Sequence, residues 1–306
     1  MADQTSVNRA GVLAADDAQP AQRLPGWASK TVFGFGLLTE SYPAMIGVGL
    51  IVFWVLVAIF AGVLAPYSPT ESFPGALATT GFSPTPEHWL GLDNLFRDSL
   101  SRVLYGARTV LFVTPLAVGT AFIIGCTLGL TSGYYGGWID DIIQRISDVI
   151  LAFPLLILYV ILISTYGASI QNIVIAIGLG ASPGIGRITR GLVLDIREQE
   201  YVKAAQIRGE SSFFIMLIEL LPNARGPLIV DMCLRFGYAI ITIGGLGFLG
   251  LGLPPPNPDW GSMVSKSINF IPVSPEMAIF PSIAISSLIV GFNLLADGLR
   301  EIAHRD

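Results

Sequence analysis

Charge is scarce in this sequence. Only 13% of its 306 residues are Asp, Glu, Lys or Arg, while 52% are hydrophobic. Soluble domains carry about 25% charged residues, so this chain lacks the polar surface a soluble fold needs. Cysteine and histidine are scarcer still, with two of each. Cys126 and Cys233 sit inside apolar stretches, which excludes the disulfide framework of a small secreted domain and leaves two thiols packing as small apolar groups. His88 and His304 lie outside those stretches, and no Cys/His cluster has metal-ligand spacing, which argues against a zinc site or an intramembrane hydrolase. No GxxxxGK[ST] segment occurs, so the chain has no phosphate-cradling loop of that kind.

The sequence does contain six apolar stretches close to membrane-spanning length, at 44–65, 110–130, 149–166, 170–188, 227–251 and 277–296. They predict an all-α polytopic membrane protein with six transmembrane helices. The expected division is a tail at 1–40, a first span at 41–66, a long loop at 67–108, and a five-helix core at 109–306 with a charged loop at 189–223. The first forty residues show no compact apolar region with a cleavage site, so a cytoplasmic tail is expected there rather than a signal peptide.

An even number of spans puts both termini on one side. Placing them in the cytoplasm gives that side twelve Lys and Arg residues, against Arg97, Arg102, Arg108 and Lys266 outside, with Arg235 within a span. The positive-inside rule favours that orientation. The outer surface then consists of the 66–109 connection, a turn near Gly167, and a stiff PPPNPDWG segment at 254–261. That segment carries an aromatic, Trp260, expected to be exposed as an interfacial anchor or as part of a docking surface.

The most informative segment is EYVKAAQIRG at 200–209, followed by Leu221 and Pro222. It lies in a wider stretch, 187–223, where Arg187, Arg190, Arg197, Lys203 and Arg208 alternate with Asp195, Glu198, Glu200 and Glu210, which suits a solvated loop with helix-supporting ion pairs. Glycine costs about 1 kcal/mol in a helix interior relative to alanine, so Gly209 marks either a close backbone approach or a helix end. Ala204, Ala205 and Gly209 are expected together on a face where another protein comes near. Asp231 and Arg235 stand four residues apart, on one face of the fifth span. They form either a self-neutralising pair or part of a polar path, because intramembrane charges face a bundle interior or a wet cavity.

Taken together, these motifs resemble the C-type permease of the dipeptide/oligopeptide/nickel ABC importers. The resemblance rests on Leu90, Gly91, Asp93, Arg97, Asp98, Ser101 and Arg102, then YGAR at 105–108, GYYGGWIDDIIQRISD at 133–148 and Phe153–Pro154. It continues through YVKAAQIRG with LPN, GFLGLG at 247–252, Trp260–Gly261 and NxxxDGLR at 293–300. Leu92, Phe96, Lys203, Ile243 and Gly247 depart from the family pattern. The resemblance implies a type I importer permease in the bacterial inner membrane, without catalysis of its own. It implies four kinds of surroundings: the lipid bilayer, a second related permease, two cytoplasmic ATPases that use ATP and Mg, and an extracytoplasmic substrate-binding protein. No cofactor and no nucleic acid are expected on this chain. Glu200, Tyr201, Ala204, Ala205, Gly209, Leu221 and Pro222 then match the ATPase-coupling segment. Asp231 and Arg235 become candidates for the translocation path, and Asp93, Arg97, Asp98 and Trp260 for binding-protein docking. The expected cargo is a peptide or peptide-like solute, with nickel or opine and sugar conjugates as alternatives. A stand-alone secondary transporter or channel is the competing reading, but it has no use for an ATPase-docking loop.

Overall fold

Five of the six apolar stretches fall each on one helix, and the 149–166 stretch on two, in the computed structural model, which describes residues 41–76 and 82–303. The expected tail at 1–40 and His304 lie outside the described residues. The helices are α1 (Tyr42–Leu64), α2 (Ser99–Tyr135), α3 (Gly137–Ala152), α4 (Leu155–Tyr166) and α5 (Ile170–Ile196). After them come α6 (Glu200–Ile207), α7 (Ser212–Phe248), α8 (Trp260–Ser267) and α9 (Glu276–Ala303). Among the described residues no strand occurs; one isolated bridge joins Leu92 and Asp98.

Among the described residues four helices, α1, α2, α7 and α9, are long and apolar enough to cross a membrane, or five when the bent α3–α4 pair is counted as one span. With 37 residues at about 1.5 Å each, α2 runs some 55 Å and projects beyond a hydrocarbon core of about 30 Å. It already begins at Ser99, inside the segment expected to be loop, because Asp98 caps it there. The expected third span, 149–166, is not one straight helix. It breaks by 84° between α3 and α4. Pro154 has no N–H to give, and a residue before proline is pushed out of the helical region; Phe153 accordingly sits at φ −85°, ψ 139°.

With 27 residues, α5 is long enough to span, but glycine and serine dilute its apolar character. Those small residues serve packing. Gly125, Gly129 and Gly133 make a stripe on α2 that meets Ser182, Gly186 and Val193 of α5. A Cβ at Gly125 would lie 2.7 Å from the Ser182 carbonyl oxygen, and one at Gly133 2.8 Å from the Val193 Cβ. Membrane helices gain little from apolar burial against apolar lipid, so close backbone approach through small residues is what holds such a pair together. Gly47 of α1 seats against Gly291 and Leu295 of α9 in the same way.

The connections sort to two ends. The described residues of the 65–98 connection, the Gly167 turn and α8 gather at one end, while α3, α6 and the start of α7 gather at the other. Arg190 of α5 makes a two-pronged bond to Asp140 of α3, Arg187 pairs with Asp148, and Arg197 Nη1 donates to the Gly133 carbonyl at 2.8 Å. The charges at the foot of α5 were expected to support their own helix; they instead bind neighbouring ones.

Candidate functional site

Three places gather the polar and small residues singled out in the sequence. The first is the hairpin formed by α6 and the start of α7. Gln199 is extended, and Glu200 places a carboxylate in the first turn of α6, where the helix dipole favours it. The helix stops at Ile207, and Gly209 adopts φ +78°, the left-handed conformation that glycine takes without penalty. Gly209 is therefore a helix end, and Ser211 starts the next helix by accepting from the Phe214 N–H at 3.2 Å.

The two alanines separate. Ala205 is fully buried with Val202, against Leu130 of α2, Val193 of α5, and Ile215 and Leu220 of α7. Ala204 is exposed, because adjacent helical residues point about 100° apart. The expectation that both alanines share one docking face is corrected accordingly. The free face consists of Glu200, Tyr201, Ala204 and Ile207, with Ile207 87% exposed. Sequence reading passed over Ile207, although its spacing of i+3 from Ala204 and i+7 from Glu200 puts it on that face. Leu221 is half-buried and Pro222 exposed, just after a π-helical turn at Ile215–Leu220. Such a turn absorbs the hydrogen bond that proline cannot make.

The second place is a clip at the opposite end. The Asp93 carboxylate accepts from the backbone N–H groups of Leu95 (2.8 Å) and Arg97 (3.0 Å) and from Arg97 Nε (2.8 Å). Its Oδ2 also lies 3.2 Å from Arg102 Nε, and Arg102 Nη1 donates to the Pro69 carbonyl at 2.8 Å. Asp98 accepts from the Ser101 N–H and hydroxyl, both at 2.7 Å, and pairs with His88 at 3.0 Å. Phe96 stands where the resembling family has glycine and adopts φ +61°, a strained conformation for a bulky residue. Its ring stacks on Phe82 at 5.9 Å, which helps hold it there.

Trp260, expected to be exposed, is 0% exposed. Its Nε1 donates to the Val103 carbonyl at 2.9 Å, and its ring meets Trp54 edge-on at 4.9 Å. It therefore joins α8 to α2 and α1. Asp259 caps α8 by accepting from the Gly261 and Ser262 N–H groups, and its carboxylate fills the space a Cβ at Gly247 or Gly252 would need. This packing accounts for the glycines of GFLGLG. Burial pushes the Asp259 carboxyl above its ordinary pKa, against the opposing pull of the N–H groups it caps.

The third place lies within the span. Arg235 Nε donates to Asp231 Oδ2 at 3.1 Å, as the i,i+4 spacing implied. The guanidinium also rests against α5: a Cβ at Gly184 would fall 3.1 Å from each of its terminal nitrogens. Both side chains retain partial exposure, 21% for Arg235 and 13% for Asp231. The pair thus neutralises itself while keeping one side open.

Among the described residues no group of His, Cys, Asp and Glu is arranged to hold a metal ion. Comparison with known proteins agrees with the geometry. A family model described as "Binding-protein-dependent transport system inner membrane component" matches residues 125–306. Another, described as "N-terminal TM domain of oligopeptide transport permease C", matches residues 38–83. The chain is 42% identical over 267 residues to the dipeptide transport system permease protein DppC of Alkalihalophilus pseudofirmus, covering 87% of each chain. It is 38% identical over 247 residues to the glutathione transport system permease protein GsiD of Pectobacterium atrosepticum, covering 81% of each. The GsiD of Escherichia coli is 38% identical over 262 residues, covering 86% of each.

Proposed function

Because the chain belongs to the family of binding-protein-dependent transport system inner membrane components, we propose that it forms half of the translocation path of an ATP-driven importer of short peptides. It is a permease of the ABC peptide-importer family rather than an enzyme. Its ATPase partners use ATP and Mg, and a binding protein delivers the solute. A second related permease and a pair of ATPases complete the assembly. Both termini and the α6 hairpin face the cytoplasm, in keeping with the excess of Lys and Arg at that end.

The observation that carries this reading is the two-sidedness of α6. Its inner face is packed on α2, α5 and α7 at once, and its outer face is unoccupied. A partner that pushes on Tyr201, Ala204 and Ile207 moves the feet of three helices together. Closure of the ATPases on ATP supplies that push, and the tilt opens the path to each side in turn. Glu200, Gly209, Leu221 and Pro222 act with them: one starts the helix, one stops it, and two set the angle of α7. At the other end, Arg97 and Lys266 line a cavity of about 310 Å³ that suits an acidic side chain of the binding protein. Asp93, Asp98 and Trp260 serve that docking by shaping the loop.

Dipeptides and glutathione, the solutes in the relatives' names, carry free carboxylates, which supports a role for Arg235 in the path. Asp231 aims the guanidinium, and the substrate carboxylate competes for its open side.

In the assembled importer, Ala204→Asp is expected to leave the complex intact while cutting substrate-stimulated ATP hydrolysis at least about tenfold, as a charge placed in an apolar contact does. Unchanged stimulation in that variant would refute the coupling role of this face. In the same preparation Arg235→Gln should slow uptake of carboxylate-bearing peptides more than that of their amidated forms. An equal loss for both leaves Arg235 a packing residue.

A further inference from the structure

An open, largely apolar cavity of about 640 Å³ lies between α1 and α2, well within the size range of ligand sites, about 300–1,000 Å³. Its stem is lined by Ile51, Val55, Phe112 and Pro115, and its rim by Arg108 and Asn257. The two ends differ in depth as well as in chemistry. From Arg108 to Pro115 is seven residues of α2, about 10 Å. Arg108 lies level with Ile59 of α1, and from there to Ile51 is about 12 Å. Asn257 belongs to the loop before α8, so the polar rim lies near the membrane surface and the apolar stem runs toward the membrane middle.

Arg108 is exposed, unlike Arg97 and Arg102, which share Asp93. Its Nε and Nη2 donate to the carbonyls of Ala58 and Ile59, and its guanidinium lies 5.1 Å from the centre of the Tyr105 ring. Among the described residues it forms no ion pair with a carboxylate. The carbonyls and the ring hold the cation in place without neutralising it, and its Nη1 remains free to donate. A cation at the membrane surface attracts anionic headgroups, and guanidinium pairs with phosphate through parallel hydrogen bonds.

We propose that this cavity binds a phospholipid, with the phosphate on Arg108 and one acyl chain in the stem between α1 and α2. A headgroup of net negative charge is preferred, because the site supplies a positive charge without a counterion of its own. The bound lipid would join α1 to α2 where their side chains leave a gap.

The test is native mass spectrometry of the purified importer after exchange into micelles containing equal phosphatidylglycerol and phosphatidylcholine. The wild-type complex should retain phosphatidylglycerol in preference to phosphatidylcholine. Arg108→Gln should lower that retention at least about tenfold, the scale of a lost charge-assisted hydrogen bond, and Arg108→Lys should restore part of it. Val55→Trp, which fills the stem and leaves the charge untouched, should reduce retention of both lipids. Equal retention of the two lipids by the wild type overturns the proposal, as does unchanged retention in Val55→Trp. A disulfide between Val55→Cys and a cysteine placed in the partner permease, formed in membranes, would assign the cavity to protein contact and overturn it equally. Should Arg108→Gln fail to assemble, the wild-type preference and Val55→Trp still decide.

Discussion

At the end of the molecule proposed above to face outward, the motif residues Asp93, Asp98, Arg102 and Trp260 are buried and use their polar atoms on one another and on nearby backbone. At the inner end, Val202 and Ala205 hold α6 in place, while Tyr201, Ala204 and Ile207 stay free. Both segments read as equally motif-like in the sequence, yet they do different work. The outer motif builds a rim whose buried polar atoms are used within the loop itself. The inner motif has one packed face and one exposed face. A strongly patterned segment is therefore not evidence of a contact surface until its burial is known.

The sharpest way to break this contrast is to shorten an aromatic at each end. Trp260→Ala removes a fully buried indole and leaves the Val103 carbonyl without its donor, so a loss of about 3–5 kcal/mol is expected. The measurement is the thermal melting of the purified complex and the amount of permease in the membrane. Tyr201→Ala should change stability by no more than about 0.5 kcal/mol, as exposed substitutions do. If the two variants melt alike, the outer end is not the rigid one.

A smaller effect is expected from pH. The Asp259 carboxyl has a raised pKa in the folded protein because burial disfavours its charged form. The folded state therefore holds its proton at pH values where the unfolded chain has released it. That contribution is complete below the ordinary carboxylate value of about 3.9 and is lost as pH rises from there through the raised folded value. Melting of the complex across mildly acidic pH should show this decline, and Asp259→Asn, which still caps α8, should flatten it. An unchanged slope in the variant would show that other groups carry the dependence.

Much of the architecture was legible because it follows from local chemistry. Twenty or so consecutive apolar residues satisfy their backbone only as a helix in lipid, so the six stretches could be placed without knowing their neighbours. Gly209 was readable as a helix end, one of its two expected roles, whereas the caps Asp98 and Asp259 are of a residue type that starts helices yet went unread. The Asp231–Arg235 pairing followed from i,i+4 spacing alone. The small-residue stripe Gly125, Gly129, Gly133 was also readable, since its spacing is the signature of close helix packing, but it went unread among other glycines.

The sequence by itself determined an all-helical membrane permease and where its apolar helices lie, because hydrophobicity and backbone chemistry act over a few residues. The tertiary structure decided which way Ala205 and Trp260 face, that the 149–166 stretch breaks at Phe153, and that Arg190 reaches Asp140 rather than a neighbour on its own helix. These outcomes depend on what a helix packs against. Val103, Trp54 and Gly106 make the cavity that draws Trp260 inward, and they come from segments more than 150 residues upstream of it. A side chain's orientation is set by the partner surface that removes it from solvent or lipid, and that surface exists only once the helices have assembled.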